Sequence, residues 1–270
     1  MDKSQTASGY SEEALIIVRA TCLYVATKLG DLFENKEITV VGGLVPSLLL
    51  PREKLGDGVD PHVGTTDLDL GLAIRVLEEE HYEELANRMT EAGFEHDENQ
   101  SGNKTLQRWR LIENHKVLID FLIDQRKGGP KPSKLEHMKK MAACVTPGLH
   151  LAFQDQEDYL FSNEKTIKGA LATKRIRICG PGAFVVLKSL AYQNRGRDKD
   201  AYDLHYVVRH YGKSVDDVVS RLKPLLTDPV AKKALEALEE NFFSMDHIGP
   251  ISVESFLGEK DEALSAVIAQ

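Results

Sequence analysis

The chain has 270 residues, 42% apolar and 28% charged, the make-up of an ordinary soluble globular protein of one large or two modest domains. No run of about 18 apolar residues occurs, which argues against a membrane span. The net charge of −8, from 42 acidic against 34 basic residues, argues against a surface that coats nucleic acid and suits a site that collects divalent metal.

Three scattered cysteines, Cys22, Cys144 and Cys179, with no C-x-x-C, argue against a disulfide framework or a zinc site and fit a reducing cytoplasm. The amino-terminal MDKSQTASGYSEEA is polar and lacks the apolar core of a secretory signal.

In chain order, SEEALIIVRATCLYVATKL (11–29) has a Ser11 cap, acidic residues in its first turn and apolar residues at helical spacing, which predicts a helix up to Gly30. EITVV (37–41) predicts a short strand that runs into Gly42-Gly43. LVPSLLL then gives one or two helical turns before Pro51, and 51–65 reads as a loop. HVGTTDLDLGLAI (62–74) carries the next strand, and VLEEEHYEELANRMTEAG (76–93) an amphipathic helix ending at Gly93.

Two strands follow, TLQRWRLIE (105–113) and KVLIDFLID (116–124), joined by a turn at Asn114-His115. A basic Pro/Gly-rich loop, QRKGGPKPSK (125–134), breaks the pattern. Weak strand signals recur to KRIRICG (174–180), and the remainder is helical. The expected fold is therefore α/β (α+β): a mixed sheet with helices over 1–179, then a mainly helical lobe over 180–270.

The chemistry starts at Asp67 and Asp69. Alternate strand residues share a face, so the two carboxylates lie about 6–7 Å apart on one side while Leu68, Leu70 and Leu72 take the other. Like charges side by side on a strand need compensation. Mg²⁺ is commonly held by one or two carboxylates with phosphates completing its shell. Two glycines after the preceding strand let a backbone approach a phosphate, and the helix beyond presents free N–H groups to it. Asp120, set in the apolar run VLIDFLI, is the candidate third carboxylate.

Strand, Gly-Gly, helix and Asp-x-Asp, with a later strand Asp, resembles the polymerase-β-like nucleotidyltransferase superfamily, matched by Gly42, Gly43, Asp67, Asp69 and Asp120. Residues 51–65 would then be an insertion over the site. LKSLAYQNRGRDKDAYDLHY (187–206) narrows this, because Lys188 followed by Arg197-x-Lys199-Asp200-x-x-Asp203-Leu204 resembles the AbiEii type, known as toxin components of toxin–antitoxin systems.

The resemblance implies a cytoplasmic, Mg²⁺- or Mn²⁺-dependent enzyme with Asp67, Asp69 and Asp120 as metal ligands, and with Lys188 and Asp203 needed for activity. Gly42, Gly43, Ser47, Thr66, Lys188, Arg197, Lys199 and Asp200 would face the nucleoside triphosphate in a cleft between lobes. Lys188, as a cleft side chain, would add little to stability. The acceptor implied is an RNA 3′ end, of tRNA in some members, and the partner a cognate antitoxin protein.

KTLQRWR (104–110) and RKGGPKPSKLEHMKK (126–140) are the basic segments able to meet RNA phosphates, or equally a solvated strand face and a surface loop. Rival readings are transfer to a small-molecule or protein hydroxyl, and a catalytically silent module of the same fold. His62 and Thr65 read as loop residues, His205 as a helix-surface histidine, and Tyr202, Tyr206 and Tyr211 as mostly core, with Tyr202 able to reach a nucleobase. Asp124 shares a face with Asp120 at the strand end and is the weaker ligand candidate.

Overall fold

The computed structural model describes residues 6–73, 79–99, 101–125, 135–138 and 140–258. The chain opens with helix α1 (Glu12–Lys28), and after a break at Leu29 the helical path resumes in α2 (Gly30–Glu34). Strand β1 (Ile38–Val41), α3 (Val45–Leu49), β2 (Asp67–Leu72) and α4 (Glu79–Glu91) come next. They lead to β3 (Phe94–Glu98), β4 (Lys104–Leu111), β5 (Asn114–Ile123), β6 (Leu135–Met138) and β7 (Met141–Val145). The single turn α5 (Leu151–Gln154), β8 (Gln156–Lys165) and β9 (Leu171–Cys179) complete the strand-rich part. Helices α6 (Pro181–Arg195), α7 (Asp198–His210), α8 (Val215–Leu222), α9 (Pro229–Phe242) and α10 (Ile248–Leu257) follow. No described helix is long and apolar enough to cross a membrane.

The chain divides into two compact units. The sheet unit comprises Glu13–Val45 and Thr65–Cys179. The helical unit joins Pro46–Gly64 to the described residues of Met1–Glu12 and Gly180–Gln270. One border of these units falls between residues 179 and 180, while 6–12 and 46–64 group with the helices.

Nine strands of the described residues form one mixed sheet in the order β3-β4-β5-β2-β1-β9-β8, with β7 against the end of β5 and β6 beyond it. Strands β1 and β2 are antiparallel, β2 and β5 parallel, β4 and β5 antiparallel. The central strands are rich in β-branched and aliphatic residues, and Ile38, Val40, Leu68, Leu70, Ile119 and Phe121 are fully buried.

Two local expectations need correction. The β4–β5 turn is Ile112-Glu113, not Asn114-His115, because Leu111 pairs with Asn114; the Asn114 side chain accepts from the Lys116 N–H. The sequence assigns no element between Gly93 and the strand at 105, yet strand β3 lies there and pairs with β4 along its length. Its residues FEHDE lack the apolar alternation that marks a strand, and it is cross-strand pairing that makes it one. The start of the 76–93 helix and most of the 125–134 loop lie outside the described residues.

In the helical unit, Gly180 and Pro181 start α6 as an N-cap and first-turn proline should. Gly182 packs α6 on the end of α8, where a Cβ would stand 2.6 Å from the Arg221 backbone. Ser214 and Asp217 close a capping box on α8, and Asp228 caps α9.

Candidate functional site

Within the sheet unit, register decides what the aspartates meet. Asp69 is level with Asp120 on parallel neighbour β5, and Asp120 is level with Arg108 on β4. On its other side Asp69 is level with Val41, the last residue of β1. Arg108, Asp120, Asp69 and Val41 therefore form one lateral row across four strands, spaced by roughly 4.8 Å per strand. Asp67 stands one face-repeat along β2 from Asp69, so all three carboxylates lie on one side of the sheet.

Gly42 closes the row. It turns the chain out of β1 with φ +72°, and a Cβ there would collide with the Asp69 carboxylate. Glycine is required twice over at this position, for the left-handed backbone and for the close approach. Gly42 to Leu44 form one 3-10 turn, followed by the five-residue α3. So short a helix carries only a small dipole toward an anion.

The repulsion between Asp69 and Asp120 is compensated from within the sheet. Arg108 Nε donates to Asp120 Oδ1 at 2.8 Å and a terminal nitrogen donates to Oδ2 at 2.7 Å, a bidentate pair half shielded from solvent. These hydrogen bonds, with the fields of Asp120 and Asp67, hold the Arg108 guanidinium above its usual pKa against the opposing effect of burial. Sequence reading put Arg108 with the basic segment 104–110. Its alternation with Arg110 on a polar strand face was visible, but its partner depends on register.

Arg110 is likewise engaged, by Glu95 and Asp97. Asp124 accepts from the Leu149 N–H and lies 2.7 Å from His150 Nδ1, so it ties down the loop after β7.

Three carboxylates on one face are a hard-oxygen donor set whose chemistry fits Mg²⁺ or Mn²⁺. Among the described residues no three acidic, histidine or cysteine side chains are already gathered as a metal centre. Asp120 is held by Arg108 instead.

The motif residues of the helical unit form a separate buried network. Lys188 on α6 is 7% exposed, and its ammonium donates to Asp200 Oδ1 and Asp203 Oδ2, both at 2.7 Å. Asp203 Oδ1 also accepts from Lys199 at 2.7 Å and lies 2.8 Å from His62 Nε2. Arg195 grips Asp200 at 2.6 and 2.8 Å. The Gly64 N–H donates to His62 Nδ1, so the imidazole is neutral and Nε2 carries the proton given to Asp203.

Burial would raise the Asp203 carboxyl, but Lys188, Lys199 and His62 outweigh it and hold the group far below the carboxylate range. Asp200 behaves alike, held at about 2 by Lys188 and Arg195 against burial. Burial would lower Lys188, yet its two carboxylates keep it above an ordinary lysine. Lys199, buried and sharing Asp203 with two other donors, is held below its usual value. Burial pushes His62 down to about 4 despite Asp203.

This network fastens residues 46–64 to α7. Tyr202 and Tyr206 flank the His62 ring, Val63 N–H donates to the Tyr202 hydroxyl, and Tyr206 donates to the Asp60 carbonyl. Ser47 lies beside His62, its Oγ 3.4 Å from Nδ1. Tyr202 also packs on Phe256 and is buried as a core ring. Arg197 is exposed at the N-cap of α7, and Thr66 immediately precedes β2. His62 and Arg195 are the network members that sequence reading did not assign. Their role needs a contact across 141 positions in one case and a helix-to-helix turn in the other.

No protein-family model matches the chain, and no curated protein matches it. Among solved structures, the chain is similar to the antibiotic-resistance factor ANT(2'')-Ia at 12% identity and a TM-score of 0.39, over 81% of this chain and 96% of that one. It is also similar to an antigenic nucleotidyltransferase-like protein from Paracoccidioides brasiliensis at 18% identity and a TM-score of 0.39, over 84% and 94%. Both likenesses are distant.

Proposed function

We propose that the chain is a nucleotidyltransferase that moves a nucleoside monophosphate from a nucleoside triphosphate to an acceptor hydroxyl. One observation carries the reading: Asp69 and Asp120 are level on parallel strands, with Asp67 on the same face and the side-chain-free turn at Gly42 against Asp69. A structural sheet face has no need of that arrangement. A phosphate-binding turn beside a carboxylate face does.

In this reading Asp67, Asp69 and Asp120 hold Mg²⁺ or Mn²⁺. Bound there, a divalent cation neutralises phosphate charge and lowers the pKa of the attacking hydroxyl. The acceptor oxygen forms a bond to the α-phosphorus, the bond to the bridging oxygen breaks, and pyrophosphate leaves with the electron pair. A carboxylate of the row receives the hydroxyl proton.

Lys188 and Asp203 act here as the framework of the helical unit, since the Lys188 ammonium already serves two carboxylates. The acceptor we put to the test is an RNA 3′ end, on the strength of the sequence resemblance. Of the basic groups considered for it, Lys131, Lys134 and Lys139 lie outside the described residues, and Lys140 donates to Asn87.

The deciding experiment incubates the protein with each α-labelled triphosphate, Mg²⁺ and total RNA, with Asp69→Asn as control. Label in RNA from the wild type alone supports the full reading. Label only in protein or a small molecule replaces the acceptor, and no label anywhere refutes nucleotidyl transfer.

A further inference from the structure

The carboxylate row contains its own cation, and what that cation does when a substrate arrives is not covered by the activity proposed above. Asp120 is the middle member of the row. Both its oxygens are taken by Arg108, at 2.8 and 2.7 Å, while Asp69 stands level with it on the far side. A divalent ion using Asp120 shares both oxygens with Arg108, and its charge and that of the guanidinium repel each other across them.

A guanidinium released from a bidentate carboxylate on a half-buried sheet face is left with a charge and a planar donor fork that favour another anion. The replacement acceptor best matched to its planar fork is a phosphate, which accepts two parallel N–H donors as a carboxylate does. Arg110, two residues along the same face, is fixed between Glu95 at 3.0 Å and Asp97 at 3.2 Å, so it neither relieves Arg108 nor competes for Asp120.

We propose that Arg108 is the internal counterion of the carboxylate row and exchanges Asp120 for a phosphate group when metal and polyphosphate arrive together. The inference rests on the metal-holding role proposed for Asp67, Asp69 and Asp120. Its consequence is a coupling. A divalent cation alone is repelled by Arg108 and binds weakly, and a polyphosphate alone finds the Nε edge of the guanidinium taken and its charge offset by Asp120. The pair binds tightly because each releases the partner the other needs, and by linkage the enhancement is the same in either order of addition. Arg108 is thus a positioning residue for the metal and a binding residue for the phosphate.

The test uses the full chain, MnCl₂ and inorganic tripolyphosphate, which removes any question of base preference. Bound Mn²⁺ is followed by electron paramagnetic resonance, and the manganese–tripolyphosphate complex by calorimetry. In Arg108→Gln, Mn²⁺ alone is expected to bind about tenfold more tightly than in the wild type, and the complex about tenfold more weakly, so that the coupling vanishes. Arg108→Lys, which keeps the charge without the fork, should fall between the two on both measurements.

Equal or weaker Mn²⁺ binding by Arg108→Gln, with Mn²⁺ binding by the wild type lost in Asp69→Asn, overturns the counterion role and leaves the metal-holding carboxylates standing. Mn²⁺ binding that is absent from wild type and Arg108→Gln alike, or unchanged in Asp69→Asn, overturns both.

Discussion

Replacing Lys188 separates two views of the helical unit. As a phosphate-binding side chain in an open cleft, its loss would cost less than about 1 kcal/mol of stability. The structure gives it two charge-assisted hydrogen bonds in a buried setting, to Asp200 and to Asp203. Breaking a buried ion pair from one side costs about 3–5 kcal/mol, because the remaining charge is left without compensation.

Here the remainder is partly cushioned: Arg195 still grips Asp200, and Lys199 and His62 still donate to Asp203. Lys188→Met, which keeps the aliphatic stem, is therefore expected near the lower end, about 3 kcal/mol, and Lys188→Ala about 1–2 kcal/mol beyond it for the cavity. Urea unfolding is read by two probes. Far-UV circular dichroism is weighted toward the helices, and Trp109, the sole tryptophan, reports on β4 in the sheet unit. A circular-dichroism midpoint for Lys188→Met that corresponds to under about 1 kcal/mol of lost stability would refute the framework role and return Lys188 to the phosphate site.

Gly42→Ala should cost at least about 2 kcal/mol, for a strained φ plus a collision with Asp69, whereas Gly102→Ala, with φ +76° and no neighbouring atom within 4 Å, should cost only about 1 kcal/mol. Similar losses in thermal unfolding would deny the contact between Gly42 and Asp69. His62 is held at about 4 by burial, so below pH 6.5 the unfolded chain takes up a proton that the folded imidazole refuses. Stability from this group is complete above that pH and falls as pH drops toward 4, by roughly 1.3 kcal/mol between about pH 7.5 and 5.5. His205, expected on the helix surface, is also held to about 4 by burial, so the readout is the difference in slope between wild type and His62→Gln, expected flatter in the variant. Tyr206→Phe removes the hydrogen bond to the Asp60 carbonyl and should cost about 1 kcal/mol in the same urea assay, with the Trp109 transition unmoved.

Elements whose signal is local can be read along the chain. The apolar run of β1 stopped by two glycines, the alternation of Asp67 and Asp69 with leucines, and the Gly180-Pro181 start of α6 follow from backbone preference and side-chain period within a few residues. For the same reason the three aspartates are legible as a set: each announces itself as a charge within an apolar strand run.

Tertiary structure decided who faces whom. Arg108 lies opposite Asp120 because two strands pair in one register, and a slip of one residue would have sent the guanidinium to the other face. Lys188 is a buried counterion because α6 and α7 bring it between Asp200 and Asp203, a distinction invisible in a motif where the same lysine serves equally well as a phosphate ligand. Residues 46–64 belong to the helical unit because His62 reaches Asp203 across the intervening chain. Charge and period are properties of neighbours in sequence. Whether a charge is spent on a protein partner or left for a ligand depends on neighbours in space, and only the folded chain assigns those.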